Sequence, residues 1–399
     1  MELVLSRNLD RQIRGRPFVM TRRRKKVLHL ITSLELGGAQ SGLLLGLPRF
    51  ENDEYAHILC SITDRMNMAE DFEKVGVKTM SLQLQNKTDF MVVWRLRKLL
   101  KEVKPDVLHT YLLHGNLLGR VVGSLTGVPV IISSERTIGQ ARRWGRILTR
   151  LTNPLAQAVE VNSYAGKLSV IKDLGVPESK VRIIRSGLDL NSNTSQNVET
   201  NISNELGLNE DTRVILMAGR LRPVKGIDYG IRAFTKLVED VPNAHLIIAG
   251  DGEERENLEG LARSLSVHEK TTFLGVRSDL PGLLRESDAF LLPSLNEGFP
   301  RVAVEALAIG CPVVATNVEG TLEIVIDGQT GILVESKNSG QMADGLSNLL
   351  NDRALTRGLV ESGKKLAGEF AIERYVDSLN GLYTDLLDSR DLDGTRSKD

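Results

Sequence analysis

Short apolar runs alternate with helix-patterned stretches along most of this chain, and that alternation restricts it to parallel-sheet architectures. Val27–Ile31, His57–Ile62, Lys78–Ser81, Val107–Thr110, Val128–Ser133 and Ala158–Asn162 read as strands. Runs this short and this apolar suit strands covered on both faces. Helical patterns at 39–45, 68–75, 90–101 and 115–125 lie between them, so the series is one of βαβ units. The rhythm breaks over 186–212, where an Asn/Ser/Thr-rich stretch runs through Asn204; polar, turn-forming residues of this kind mark a linker. It resumes with Val214–Ala218, His245–Ala249, Thr271–Leu274, Ala289–Leu292, Pro312–Ala315 and Ile332–Val334. The expectation is two α/β domains facing across a cleft, at residues 25–188 and 213–368, joined by a linker at 189–212. A final amphipathic helix within 369–388 (Ala371, Tyr375, Leu379, Leu382, Leu386) is expected to pack back on the first domain, followed by a tail at 389–399.

Composition excludes several classes. Lys+Arg and Asp+Glu both total 51, so no global field recruits nucleic acid. Cys60 and Cys311 are the only cysteines, which rules out a disulfide scaffold or a Cys-rich zinc site and fits a reducing compartment. Residues 1–26 hold nine of the basic side chains and only two acidic ones. Residues 1–24 read as a basic, solvated arm; an anchor for an anionic surface is the sharper alternative. The arm lacks the apolar core of a signal peptide, and no run is long and apolar enough to span a membrane. A cytoplasmic protein, peripheral on the inner membrane face at most, is expected.

Three constellations carry chemistry. Glu297-Gly298-Phe299-Pro300-Arg301-Val302-Ala303-Val304-Glu305 follows the strand ending at Leu292. A helix starting near Pro300 would offer free backbone N–H groups to a phosphate, and a carboxylate such as Glu305 accepts from two sugar hydroxyls at once. Taken alone, the motif is equally compatible with surface glutamates at a helix start. Gly219-Arg220 and Lys225-Gly226 bracket the loop after Val214–Ala218; an arginine fork and a lysine point charge there suit a diphosphate, or are two solvated cations. Gly37-Gly38-Ala39-Gln40 follows the first strand, where paired glycines admit a phosphate or sugar close to the backbone, or simply make a turn. No G-x-G-x-x-G, G-x-x-x-x-G-K-[ST] or H-E-x-x-H motif occurs.

In this order, with Asp106-Val107-Leu108-His109, Ala249-Gly250-Asp251-Gly252, Phe273-Leu274-Gly275 and Ala306-Leu307-Ala308, the motifs resemble the retaining nucleotide-sugar glycosyltransferases of family 4 (group 1), which have the GT-B fold. The resemblance covers roughly residues 25–385. It implies that Arg220 and Lys225 hold the donor diphosphate and stabilise the leaving group. It implies that Glu305 binds the ribose, Glu297 contacts the transferred sugar, and Gly298, Phe299 and Pro300 line the sugar and phosphate site. The main chain at Val276 would touch the base, and Gly38 would approach the diphosphate from across the cleft. The expected partners are a nucleotide sugar and a glycan or lipid-linked acceptor. Neither a metal nor a cofactor is expected, because two fixed cations face the leaving group and no Asp-x-Asp ends a strand.

One departure stands out. Many family members carry His-x-His after the fourth strand, whereas this chain reads His109-Thr110-Tyr111-Leu112-Leu113-His114. His114, aimed from a strand-to-helix loop, is the candidate active-site histidine, with His109 as the alternative. Rival readings are a sugar-nucleotide epimerase on the same fold, or a catalytically silent nucleotide-sugar-binding protein. Over 136–155, Ile138, Ala141, Trp144, Leu148 and Leu151 recur at helical spacing beside Arg142, Arg146 and Arg150. Residues 137–151 are therefore expected either to meet an anionic membrane surface or to pack their apolar stripe inward with the arginines in solvent.

Overall fold

Every strand pairing recorded in the two sheets is parallel. A computed structural model describes residues 23–35, 37–50, 54–86, 89–136, 143–190 and 201–396. The expectation for the basic arm falls almost wholly outside them. In the first domain β1 (Lys25–Ile31), β2 (Tyr55–Thr63), β3 (Lys78–Leu84), β4 (Val107–Tyr111), β5 (Val130–Glu135), β6 (Ala158–Val161) and β7 (Val181–Ile183) form one sheet in the order 3-2-1-4-5-6-7. In the second, β8 (Arg213–Ala218), β9 (Ala244–Ala249), β10 (Thr271–Gly275), β11 (Ala289–Leu292), β12 (Val313–Thr316) and β13 (Ile332–Val334) follow the order 10-9-8-11-12-13. Both orders reverse direction once, between β1 and β4 and between β8 and β11. Connections there leave toward opposite sides, so a crevice opens beyond the strands' carboxyl ends.

Helices cover both faces of the first sheet. One layer is α1 (Gly38–Gly46) and α2 (Ala69–Lys74). The other is α3 (Met91–Val103), α4 (Leu112–Leu125), α5 (Arg143–Thr152) and α6 (Tyr164–Leu174), packed side by side in that order. Ser163 caps α6 by accepting from the Gly166 N–H, and Gly175 ends it in the left-handed region. The segment between domains holds α7 (Ile202–Leu206), whose first N–H donates to Glu286. The second domain adds α8 (Ile227–Asp240), α9 (Arg255–Ser264), α10 (Leu280–Glu286), α11 (Arg301–Ile309), α12 (Ser339–Asn351) and α13 (Arg353–Ala367).

The last helix, α14 (Ile372–Arg396), joins the first domain's core. Ile372, Tyr375, Val376, Leu379, Leu382 and Tyr383 repeat at three- and four-residue spacing and are buried there. The chain crosses between domains twice, side by side: the Leu188 N–H donates to Phe370 and the Ile372 N–H to Leu188. The helix runs past residue 389, where the sequence reading ends it and begins a tail. No proline interrupts residues 372–396, so the ladder continues through the polar residues that suggested a tail.

Beneath α14 lies a buried polar seam. His29 on β1 pairs in register with His109 on β4, and both are fully buried. His29 lies 3.0 Å from His57 and 3.1 Å from the Tyr111 hydroxyl. His109 Nδ1 lies 2.8 Å from the Tyr383 hydroxyl and its Nε2 3.3 Å from Glu160. Arg136 donates to Glu160 at 2.7 Å, to Ser134 at 2.7 Å and to Ser186 at 3.1 Å. Burial works against the Glu160 carboxylate, but Arg136 and His109 hold its pKa at about 2. The three histidines lack a full counter-charge. Burial lowers all of them, His57 to about 4, His29 well below its usual value, and His109 less freely because Glu160 pulls it back.

A depressed histidine pKa makes stability depend on pH in a known direction. Below the unfolded value of about 6.5, the unfolded chain takes up protons that the folded chain refuses. Stability present above that value is lost as pH falls toward 4. The thermal midpoint is expected to drop steadily between pH 7 and pH 4.5. His57 alone contributes a slope of about 1.4 kcal/mol per pH unit, and H57Q should flatten the curve. A midpoint independent of pH over this range, measured by calorimetry, would contradict the buried-neutral seam.

Candidate functional site

The loops after β8 and β11 flank the second sheet's switch point, and their backbones are laced together. The Leu295 N–H donates to Val224 at 2.8 Å. Gly226 has φ +60°, and a Cβ built on it would lie 2.2 Å from the Pro293 carbonyl oxygen, so only glycine fits. Behind them the β9 loop closes on the β8 loop, where a Cβ on Gly250 would meet the Gly219 carbonyl at 1.9 Å. The Leu295–Val224 and Gly226–Pro293 contacts between the β8 and β11 loops place Lys225 beside Glu297. Lys225 Nζ lies 2.5 Å from Glu297 Oε1, and Ser294 donates to the same oxygen at 2.7 Å.

These loops wall a cavity of about 780 Å³, a size that suits a small-molecule ligand. Gly219, Arg220, Lys225, Val276, Glu297, Phe299 and Pro300 all line it. Val276 is 78% exposed and stands at the rim. Arg220 is exposed and has no ion pair among the described residues. Arg277, also on the wall, differs: Glu205 and Asp279 occupy its guanidinium, with donor distances of 2.6–3.1 Å. Their carboxylates hold it above the usual arginine range. Of these two arginines, Arg220 is therefore the one whose guanidinium is left to grip an anion.

The remaining candidates lie around this cavity. Pro300 flanks α11, which begins at Arg301, one residue later than a proline at the first helical position would give. Gly298 does not line the wall; a Cβ on it would come 3.6 Å from the Arg136 carbonyl of the other domain. Glu305 is half-buried on α11 and outside the wall. Burial raises its carboxyl and nearby Arg301 opposes the rise. Gly38 stands across the cleft, its carbonyl accepting from Arg301 Nη1 at 3.4 Å. Arg301 escaped the sequence reading, although it follows Pro300 within the motif. It is the side chain that joins the two domains at the cavity's edge.

The two histidines separate. His109 is sealed in the seam under α14 and out of reach of a ligand. His114 is exposed in the first turn of α4, since the helix starts directly at Leu112 without an intervening loop. Leu112 takes φ +64° to make that corner, and Gly115 packs against the Leu30 carbonyl. Gly38, following β1, and His114, following β4, thus flank the first sheet's switch point as Arg220 and Glu297 flank the second.

Comparison with known proteins adds to this geometry. A family model described as Glycosyl transferases group 1 matches residues 198–366, and one described as Glycosyltransferase Family 4 matches residues 48–192. The chain is 26% identical over 386 residues to the UDP-Gal:alpha-D-GlcNAc-diphosphoundecaprenol alpha-1,3-galactosyltransferase of Escherichia coli, covering 91% of this chain and 97% of the relative. It is 24% identical over 369 residues to the N-acetyl-alpha-D-glucosaminyl L-malate synthase of Bacillus anthracis, covering 88% and 94%. The fold matches the crystal structure of Anabaena HepE in complex with UDP, with a TM-score of 0.80 and 22% identity across 90% of this chain and 100% of that one.

The lacing of the two loops can be tested. Gly226→Ala forces a strained φ and a clash with backbone, which costs about 1–3 kcal/mol. A fall of a few degrees in the thermal midpoint is expected, together with loss of ligand binding because Lys225 is displaced. An unchanged midpoint would show that the loops are not locked as described.

Proposed function

Because the chain belongs to the group 1, family 4 glycosyltransferases, we propose that it moves a sugar from a nucleoside-diphosphate sugar to a hydroxyl of a glycan or lipid-linked acceptor, with retention at the anomeric carbon. The observation that carries this reading is the pairing of unengaged Arg220 with Lys225 and Glu297 around one cavity at the switch point. Arg220 grips the diphosphate as a planar fork. The diphosphate draws Lys225 from Glu297, and the freed carboxylate accepts from hydroxyls of the sugar. The N–H groups opening α11 add a partial positive charge toward the phosphates. Glu305 binds the ribose and the Val276 main chain meets the base. Gly38 approaches the diphosphate from the other domain, and His114 stands on the acceptor side.

In the reaction the bond from the anomeric carbon to the diphosphate oxygen breaks and a bond to the acceptor oxygen forms on the same face. The acceptor proton passes to the departing phosphate. Charge develops on the leaving group, where preoriented cations lower the barrier most. Two such cations make a divalent metal unnecessary, so activity is proposed to be metal-independent.

UDP-sugars are the first donors to test, since HepE binds UDP and the Escherichia coli relative is named for UDP-Gal. The relatives' names point to different acceptors, a diphosphoundecaprenol-linked sugar and L-malate, so acceptor choice rests on this chain's own surface.

Thermal shift with UDP-, GDP- and ADP-sugars should single out one base, with stabilisation of about 2.7 kcal/mol at 100 times Kd. With that donor, R220A and K225A should each lower kcat about 10²–10³-fold; the thermal midpoint without ligand should barely move in R220A and should fall in K225A, which leaves the buried Glu297 carboxylate without its partner. Near-wild-type turnover in both variants would remove the diphosphate clamp. Conversion of the donor to an epimer without acceptor would replace transfer by epimerisation. Activity should also survive exhaustive EDTA treatment. Complete loss restored by Mg²⁺ or Mn²⁺ would overturn metal independence.

A further inference from the structure

The helical layer α3–α6 has an outer surface unlike the rest of the molecule. Sixteen large apolar side chains are exposed among the described residues, and twelve of them lie on these four helices or just before them. They include both of the chain's tryptophans, Trp94 at 55% and Trp144 at 58% exposed. Around them stand Arg97, Lys98 and Lys101 on α3, and Arg146 and Arg150 on α5. Across all four helices the only acidic residues are Glu102 and Asp173.

The orientation of α5 produces much of this surface. Its inward face is Gly145 and Thr149, both buried, with Thr152 half-buried beside Arg120. Its apolar stripe (Trp144, Ile147, Leu148 and Leu151) points outward, with Leu151 71% exposed. A strongly amphipathic helix normally buries that stripe. Here small and hydroxyl side chains let the helix seat closely on α4 and leave the stripe to solvent. Residues 137–142 of the expected docking segment lie outside the described residues.

We propose that this layer docks on an anionic lipid bilayer. Apolar groups at a rim of arginines and lysines, with tryptophans among them, match the headgroup boundary of such a surface. No helix among the described residues is long and apolar enough to cross it, so the contact is interfacial. Trp144 and Tyr164 sit at helix starts, at the carboxyl-end edge of the sheet where the cleft opens, and the Tyr164 N–H donates to Glu323 of the second domain. Docking thus holds the cleft mouth beside the membrane. Delivery of a lipid-linked acceptor into that cleft rests on the transferase reading; the docking itself does not.

Sedimentation of the full chain with vesicles tests it. Binding is expected to vesicles of phosphatidylcholine mixed with phosphatidylglycerol, to be absent with phosphatidylcholine alone, and to weaken as salt rises. W144E combined with L151E should lower that binding at least about tenfold while leaving the thermal midpoint and the UDP thermal shift unchanged. R97E combined with R146E, which leaves the apolar groups intact, should also weaken binding and serves if the first variant unfolds. Absence of binding by the wild-type chain, or equal binding by both variants, would overturn the proposal. So would a dimer in light scattering that W144E with L151E dissociates, since a second copy would then cover the face. The UDP shift measured without vesicles reports on the donor reading separately.

Discussion

A parallel strand cannot be reached from its neighbour by a tight turn, and this constraint organises the whole molecule. Each return must cross the sheet, usually as a helix, so every strand's carboxyl end falls on one edge. All functional candidates follow strands, and that edge collects them. Where the strand order reverses, between β8 and β11 and between β1 and β4, the flanking loops part. The two domains present those openings to each other, and Arg301 reaching Gly38 shows how close they come. The side-by-side crossings at Leu188 and Ile372 keep both domains attached at one hinge.

At the second opening the protein stores two opposite charges in contact. Lys225 and Glu297 are largely withdrawn from water, 28% and 9% exposed, so each alone would carry a desolvation penalty. Together, with Ser294 donating to the same carboxylate oxygen, they are satisfied before any ligand arrives. A diphosphate offers Lys225 a more highly charged partner. Under the proposed transferase reading, exchange of partners couples anion binding to release of the carboxylate. Arg220 has no ion pair among the described residues to exchange, whereas Arg277 is held by its own acids and shapes the wall instead.

The first domain solves a different problem. Its sheet carries histidines and tyrosines where aliphatic side chains would serve, and α14 seals them from solvent. Arg136 and Glu160 neutralise one end of this seam, and Arg136 also ties to Ser186 at the hinge. Its carbonyl faces Gly298 of the second domain. The closing helix, the hinge and the cleft edge therefore share one hydrogen-bonded group, which makes α14 part of the interdomain architecture.

Local sequence determined a good deal here. Apolar runs marked nearly every strand, because burial on both faces leaves little room for polar residues, and the glycine, lysine and glutamate motifs at strand ends marked the cavity's residues. The departures have physical causes. Strand order is set by long-range pairing, so that Lys225 meets Glu297 across a switch point is invisible in either motif alone. His109 and His114 look alike in sequence, yet one strand residue and one helix turn separate the sealed interior from the surface. Periodicity located the amphipathic stripe of α5 but not its direction, because the partner surface on α4 chose Gly145 and Thr149 as the better fit. Periodicity identifies a face, and only the tertiary packing decides what that face meets.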